Sequence, residues 1–182
     1  EWMAVQGHLY AVSEHVEDQL DGEPSLRDYD TSVRALSFEG DWRKVEGGRL
    51  RIVSAGVYQG LDYLGARSDA DYDLDFLRLR LSGLQSDTLA GNWQGVASGA
   101  LYWSDDRLPD SERAGFGGLH FGRGYPRDQA DGDKGWGVAY ELNYSLRGNG
   151  LALVQPYAAV DVAQAWHNRG PVADAHLASA AL

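Results

Sequence analysis

The sequence predicts an all-β protein, in which about eight antiparallel strands form part of a transmembrane β-barrel. Three observations support this fold class: apolar and polar residues alternate along most of the chain, the predicted strands are long, and tight turns alternate with longer loops. Helical spacing is weak, because the 23 glycines and the β-branched and aromatic residues interrupt each candidate window.

The alternation has a period of two and divides each predicted strand into an apolar and a polar face. Around residue 142, Tyr140, Leu142 and Tyr144 fall on one face, while Glu141 and Asn143 fall on the other. The same division separates Leu77, Leu79, Leu81, Leu36, Phe38 and Trp42 from Arg78, Arg80, Ser37, Glu39 and Asp41. One face of the sheet is therefore apolar and the other, called here the wet face, is polar and hydrated.

The predicted strands, in chain order, are 3–13, 27–43, 50–59, 72–84, 93–104, 137–147, 151–166 and 173–182. Several have ten residues or more. Strands of soluble sheets have about five or six residues, whereas ~9–11 residues cross a bilayer on a tilt. The lengths therefore favour a membrane barrel.

The connections fall into two classes. Residues 46–48 and 148–150 form tight, glycine-containing turns, whereas 14–26, 60–71 and 105–136 are long and carry most of the acidic excess. Short turns at one end of the strands and longer, charged loops at the other are typical of an outer-membrane barrel.

Composition excludes several function classes. With 27 acidic and 16 basic residues, the chain has a formal charge of −11 and would repel nucleic acid phosphates. Ser98 lacks the glycine spacing of a nucleophile elbow, and the five histidines form no metal-spaced pair. We therefore predict no catalytic residue, no cofactor and no metal site; a calcium ion between Asp131 and Asp133 is a weaker alternative.

A soluble β-sandwich or barrel with an acidic binding surface would show the same alternation. Two details favour the membrane barrel. Tryptophan and tyrosine cluster near strand ends, and the wet face carries the ionic residues Arg78, Arg80, Glu141 and Asp161. A packed core would not accept these charges unpaired, whereas a hydrated lumen would.

The longest connection contains an unusual stretch, GLHFGRGYPRDQADGDKGWG at 118–137, which is too rich in Gly and Asp for a helix or a central strand. Three further stretches accompany it: GLDYLGARS from residue 60, LPDSERAGFGGLHFGRGYP from 108 and LVQPYAAVDVAQAW from 153. Together with GDKGWGVAYELNYSL from 132, they resemble the barrel of the two-partner secretion transporters, the hemolysin-activator family. The specific signatures are Arg-Gly-Tyr at the tip of a very long loop and an Asp on a strand that follows Pro-Tyr.

The resemblance implies a bacterial outer-membrane transporter that is not an enzyme, needs no cofactor, contacts lipid and secretes a hemolysin- or adhesin-like polypeptide. Residues 1–182 would form part of one barrel, without the periplasmic domains that precede it in the family, so we expect a piece of a longer protein. An outer-membrane assembly factor of the same superfamily is a further alternative.

The resemblance also implies a lock inside the barrel. The loop 105–136 would fold back into the lumen, with its tip at Gly122, Arg123, Gly124 and Tyr125. Arg123 is expected to pair with Asp161 on the barrel wall, and Tyr125 to pack the tip in place. Arg78, Arg80 and Glu141 are expected to face the lumen.

Overall fold

The computed structural model describes residues 1–18, 27–146, 154–169 and 174–182. Its strands are β1 (Trp2–Asp18), β2 (Arg27–Glu46), β3 (Arg49–Gly60), β4 (Arg67–Ser68), β5 (Leu77–Thr88), β6 (Trp93–Trp103), β7 (Ala114–Phe116), β8 (Ala130–Gly132), β9 (Lys134–Tyr144), β10 (Tyr157–Trp166) and β11 (Ala175–Ala181). A 3-10 turn lies at Asp110–Glu112. In the described part of the chain, no helix is long and apolar enough to cross a membrane.

The long strands form one antiparallel meander in the order β1-β2-β3-β5-β6-β9-β10-β11, and the short β4 pairs with β2. Each long strand is hydrogen-bonded to its neighbours in this order, so the sheet is a single open layer. At one end, the turn between β2 and β3 uses Gly47 and Gly48 at φ of +56° and +79°, a conformation that glycine adopts without steric cost. The two longest connections, from β3 to β5 and from β6 to β9, lie at the opposite end.

The eight predicted strands correspond to the eight long strands, with some shifted ends. β1 continues beyond the predicted end at residue 13, because cross-strand pairs continue: the hydroxyls of Ser13 and Ser32 lie 3.1 Å apart, and His15 lies 2.9 Å from Asp30. β5 begins only at Leu77, because the backbone of Asp73 is bonded to the carbonyl of Arg107 in another loop. The predicted turn at 148–150 lies outside the described residues.

The register places the two predicted faces on opposite sides of the sheet. Asp161 pairs with Ala139, which pairs with Ser98, so these three side chains share the inner face. On the outer face, large apolar side chains stay exposed, including Phe38, Leu81, Leu101, Val138, Tyr140 and Val160. A continuous apolar face of this size is typical of a surface that contacts lipid or another protein.

The inner face is covered in part by residues 104–133, which connect β6 to β9. Two small buried clusters lie beneath this segment. One joins its Ala114 and Phe116 to Ala163 and Leu177 of the wall, and the other joins its Leu108 to Val33 and Tyr58. The core of the described structure is thus the contact between this loop and the sheet.

Candidate functional site

The candidate site is the segment 104–133, called here the internal loop, and the side chains that hold it against the inner face. Within the loop, β7 and β8 form a short antiparallel hairpin that carries the tip, residues 117–129. The tip turns back at Gly117, Gly118 and Gly122, whose φ values are +113°, +83° and +81°. Side chains other than glycine are strained at these values, so the glycine-rich sequence is what allows the chain to reverse here.

The tip approaches the wall closely. A Cβ atom on Gly122 would lie 2.7 Å from the side chain of Leu177, and one on Gly124 would lie 3.0 Å from Cβ of Ser179. Both wall residues belong to β11. The two glycines that flank Arg123 therefore bring the loop backbone into contact with the wall.

Asp161 holds the backbone of the tip. Its carboxylate accepts a short hydrogen bond from the N–H of Gly122 and a second one, 2.6 Å long, from the hydroxyl of Ser179. Only 5% of Asp161 is exposed. A buried carboxylate needs such donors, and here one of them is the loop itself.

The guanidinium of Arg123 pairs with Glu141 on β9, with Nη1 2.6 Å from Oε2. Arg123 therefore pairs with Glu141 and not with Asp161, the partner that we expected. The register explains the difference: Asp161 lies opposite Ala139, and Glu141 lies opposite Ala159, so the two carboxylates are diagonal neighbours on one face. The shorter Asp161 side chain accepts hydrogen bonds from Gly122 and Ser179, and the longer Glu141 side chain reaches the guanidinium of Arg123. We call these contacts of Asp161 and Glu141 with the loop the tip anchor.

Tyr125 contributes to the tip mainly through its backbone. Its N–H donates to the carbonyl of Gly122 (2.9 Å), and its carbonyl accepts from Gly118 (3.1 Å), while 37% of the residue is exposed. Two phenylalanines provide the aromatic packing. Phe116 meets Tyr102 of β6 edge-on at 5.8 Å, and its ring centroid lies 6.4 Å from that of Phe121.

The wall is shaped to receive these rings. A Cβ on Gly135 would lie 2.5 Å from the ring of Phe116, and one on Gly137 would lie 2.6 Å from the ring of Phe121. Our sequence analysis did not single out the phenylalanines. The available signal was Gly137 at the start of a predicted strand and Gly135 two positions before it, a spacing that indicates the close approach of another group on one face.

A second set of contacts, called here the base anchor, holds the first part of the loop. Glu112 is 2% exposed, accepts a hydrogen bond from the hydroxyl of Tyr10 (2.9 Å) and pairs with Arg78 (3.1 Å). Arg78 also donates to the carbonyl of Glu112 (2.9 Å) and lies 3.9 Å from the ring centroid of Tyr58. Burial raises the pKa of Glu112 above its ordinary value, although Arg78 and Tyr10 oppose the shift.

The acidic residues at the outer end of the loop have protein partners. Asp110 accepts hydrogen bonds from Tyr29 (2.5 Å) and Tyr72 (3.0 Å), and Asp131 pairs with Arg113 (3.2 Å). Buried Asp133 accepts from the N–H groups of Leu108 (2.9 Å) and Asn168 (2.8 Å). Across the described ranges, no three His, Cys, Asp or Glu side chains are grouped as metal ligands. The calcium alternative at Asp131 and Asp133 thus gains no support.

Arg80 lies on the inner face of β5, as its alternation with Leu79 and Leu81 predicts. Its guanidinium carbon is 5.9 Å from the ring centroid of Tyr102. The structure therefore places Arg78, Arg80, Glu141 and Asp161 together on the inner face. Three of the four form hydrogen bonds or ion pairs with described residues of the internal loop, whereas Arg80 forms none.

Comparison with known proteins supports a common architecture. Residues 27–182 match the family model described as haemolysin secretion/activation protein ShlB/FhaC/HecB. A comparison with curated protein sequences gave no match. Among solved structures, the chain is similar to CdiB from Escherichia coli, with a TM-score of 0.73 and 19% sequence identity over 98% of this chain and 38% of that one.

The structural likeness concerns the fold, and the chain spans 38% of the length of CdiB. It confirms the predicted all-β antiparallel class, as an open fragment of a larger barrel. Because the family model matches nearly the whole chain, the protein belongs to the haemolysin secretion/activation protein ShlB/FhaC/HecB family.

Proposed function

We propose that this chain is part of a bacterial outer-membrane transporter, which secretes a hemolysin- or adhesin-like polypeptide through a barrel gated by the internal loop. The observation that carries the proposal is the tip anchor. A loop of some thirty residues is fixed to the polar face of a sheet whose opposite face is apolar and exposed. In a closed barrel, that polar face lines the lumen and the loop lies inside it.

The dimensions of the strands support a membrane location. β9 has 11 residues. At ~3.4 Å per residue and a tilt of ~40°, such a strand covers about 28 Å along the membrane normal, close to the ~25 Å apolar band of outer-membrane barrels. The outer face would contact lipid, and the acidic loops would extend into water.

The chemistry of the tip anchor suits a gate. The pair of Arg123 and Glu141 is charge-assisted and partly shielded, with 27% and 25% of the side chains exposed. Contacts of this kind hold a loop in one position without a covalent bond and can break when a competing chain arrives. Transport of this kind requires no catalytic residue and no cofactor.

The test is secretion of the partner by the full-length protein carrying Arg123→Ala or Glu141→Ala. We expect each variant to secrete several-fold less than the parent, because a loop that has lost a contact worth about 1.5–3 kcal/mol no longer returns to the one closed position from which an arriving polypeptide displaces it. Arg107→Ala is the matched control. Arg107 belongs to the same loop and pairs with Asp71 at 3.0 Å, but 88% of that Asp71 side chain is exposed.

Membrane extraction and heat-dependent gel mobility would show whether each variant still forms the barrel. Unchanged secretion by both variants, with the barrel intact, would contradict the gating role. A full-length protein that is soluble without detergent would contradict the transporter itself and favour the β-sandwich binding domain.

A further inference from the structure

A cavity of about 730 Å³ separates the internal loop from the wall formed by β3, β5, β6 and β9. The wall side includes Ile52, Arg80, Ser82, Ser98, Ala100 and Tyr102, and the loop side includes residues 117–121. Sites that bind small molecules or short peptides have volumes of ~300–1,000 Å³. The cavity is therefore large enough for a short stretch of extended polypeptide, while the tip anchor remains closed.

The wall of this cavity offers free hydrogen-bonding groups. Ser54 donates to Asp41 at 2.5 Å, but the hydroxyls of Ser82 and Ser98 have no protein partner within the described residues. Both serines are half-buried and point to the same face as Arg80. An extended chain presents an N–H or C=O group at each residue, and these groups need such partners when they leave water.

Arg80 differs from the other loop-facing arginines. Arg78 pairs with Glu112, and Arg123 pairs with Glu141, whereas Arg80 forms no ion pair with any described residue. It lies near the ring of Tyr102 and interacts electrostatically with Glu39 of β2 beyond ion-pair distance, so its guanidinium donors stay available. A carboxylate is the group that an unpaired guanidinium binds best, through two parallel hydrogen bonds.

The loop side of the cavity adds an apolar contact. Leu119 is 86% exposed although it lies on the loop surface that lines the cavity. An apolar side chain on a passing polypeptide would cover it. Of the charged side chains that line the cavity, Arg123 pairs with Glu141 and Arg127 pairs with Asp128. Arg80 is thus left beside free hydroxyls and apolar side chains, a set that is complementary to an extended acidic peptide.

We infer that this cavity is a docking groove for an extended segment of the secreted polypeptide, with an acidic side chain of that segment bound by Arg80. The inference rests on the proposed function and adds a place and a chemistry to it. The segment docks while the tip anchor is closed, before the loop moves.

The experiment uses cysteine protection. These 182 residues contain no cysteine, so Ser82→Cys and Ser98→Cys, in a full-length background free of other thiols, each place one reporter in the groove. The probe is a short synthetic peptide of Gly, Ser and Asn with a central Asp, and its counterpart has Lys instead. We expect the Asp peptide to slow maleimide labelling of both cysteines several-fold, and the Lys peptide to slow it much less.

Two controls separate the groove from the rest of the lumen. Gln6→Cys lies on the inner face of β1, outside the cavity, and its labelling should not change with either peptide. In the Ser82→Cys background, Arg80→Gln should abolish the difference between the peptides. Arg43→Gln, which removes another inner-face arginine outside the cavity, should leave the difference intact.

The inference would be overturned if maleimide labelled both Ser82→Cys and Ser98→Cys at the same rate with and without the Asp peptide. Equal protection of Gln6→Cys would also overturn it, because it would mean that peptides enter the lumen without using the groove. Neither result depends on the Arg123 and Glu141 variants, whose secretion phenotype tests the transporter by itself.

Discussion

If the tip must leave the wall for a polypeptide to pass, a covalent bond between tip and wall should stop secretion. Gly124 and Ser179 provide the position, because a Cβ on Gly124 would lie 3.0 Å from Cβ of Ser179. Disulfides need about 3.5–4.5 Å between Cβ atoms, so the double variant Gly124→Cys/Ser179→Cys requires a shift of about 0.5 Å. These 182 residues contain no cysteine, so the bond is specific in a full-length background free of other thiols.

The magnitude of the constraint follows from the chain that it closes. About 55 residues separate the two positions, and cross-linking a loop of that length removes about 4 kcal/mol of chain entropy from the unfolded state. This exceeds the ~1.5–3 kcal/mol of the charge-assisted contact that it supplements. More directly, the tip cannot leave the wall while the bond exists.

The assay compares secretion by the full-length double variant under oxidising conditions and after reduction. We expect secretion to stop in the oxidised form and to return with reductant, while Gly124→Cys alone responds to neither. Thiol counting on the purified protein establishes that the bond has formed. Secretion at the same rate in the oxidised and reduced forms, with the bond present, would refute a gate that opens at its tip.

Three further predictions concern the packing, the outer face and the base anchor. Gly137→Val should push Phe121 from the wall and destabilise the loop by about 1–3 kcal/mol, as measured by protease cleavage of the tip, and Phe121→Ala in the same chain should relieve the clash. Val138→Arg, on the exposed apolar face, should lower barrel stability in lipid by about 2–4 kcal/mol, whereas Ala139→Ser on the inner face should change it little; equal losses would contradict the assignment of faces. Because the pKa of Glu112 is raised, the folded protein holds a proton that the unfolded chain has lost, so stability should fall as pH rises from the ordinary glutamate pKa through the raised one. Heat-dependent mobility measured against pH should lose this dependence in Glu112→Gln, and a persistent slope would assign it to other groups.

The sequence was sufficient to predict which residues share a face of the sheet, because alternation with a period of two allows only two assignments. Once Glu141 is placed on the wet face, Tyr140 and Leu142 must lie on the other one, and antiparallel pairing carries that choice from strand to strand. Strand ends were harder to predict, because they depend on partners elsewhere. β5 starts late since Asp73 is bonded to a loop that lies far along the chain.

The internal loop shows the other limit of sequence reasoning. Its tip was recognisable from a short motif, but the choice between Asp161 and Glu141 for Arg123 depends on a register offset of two residues between β9 and β10. Of the base anchor, only the inner-face position of Arg78 was expected, and its pairing with Glu112 was missed. Glu112 and Tyr10 are 102 positions apart, and nothing in either local pattern indicates that they meet. The β7–β8 hairpin was also missed, since its glycine-rich residues have low strand propensity.

The two anchors together make the internal loop a mechanical link between distant strands. The base anchor holds β1 and β5 through Tyr10 and Arg78, and the tip anchor holds β9 and β10 through Glu141 and Asp161. If a chain inside the barrel widened it and moved these strands apart, the loop would therefore come under tension between its two anchors. The side chains of Arg78 and Glu112 at the base are 16% and 3% exposed, whereas those of Arg123 and Glu141 at the tip are 27% and 25% exposed. The ion pair at the tip would therefore break first.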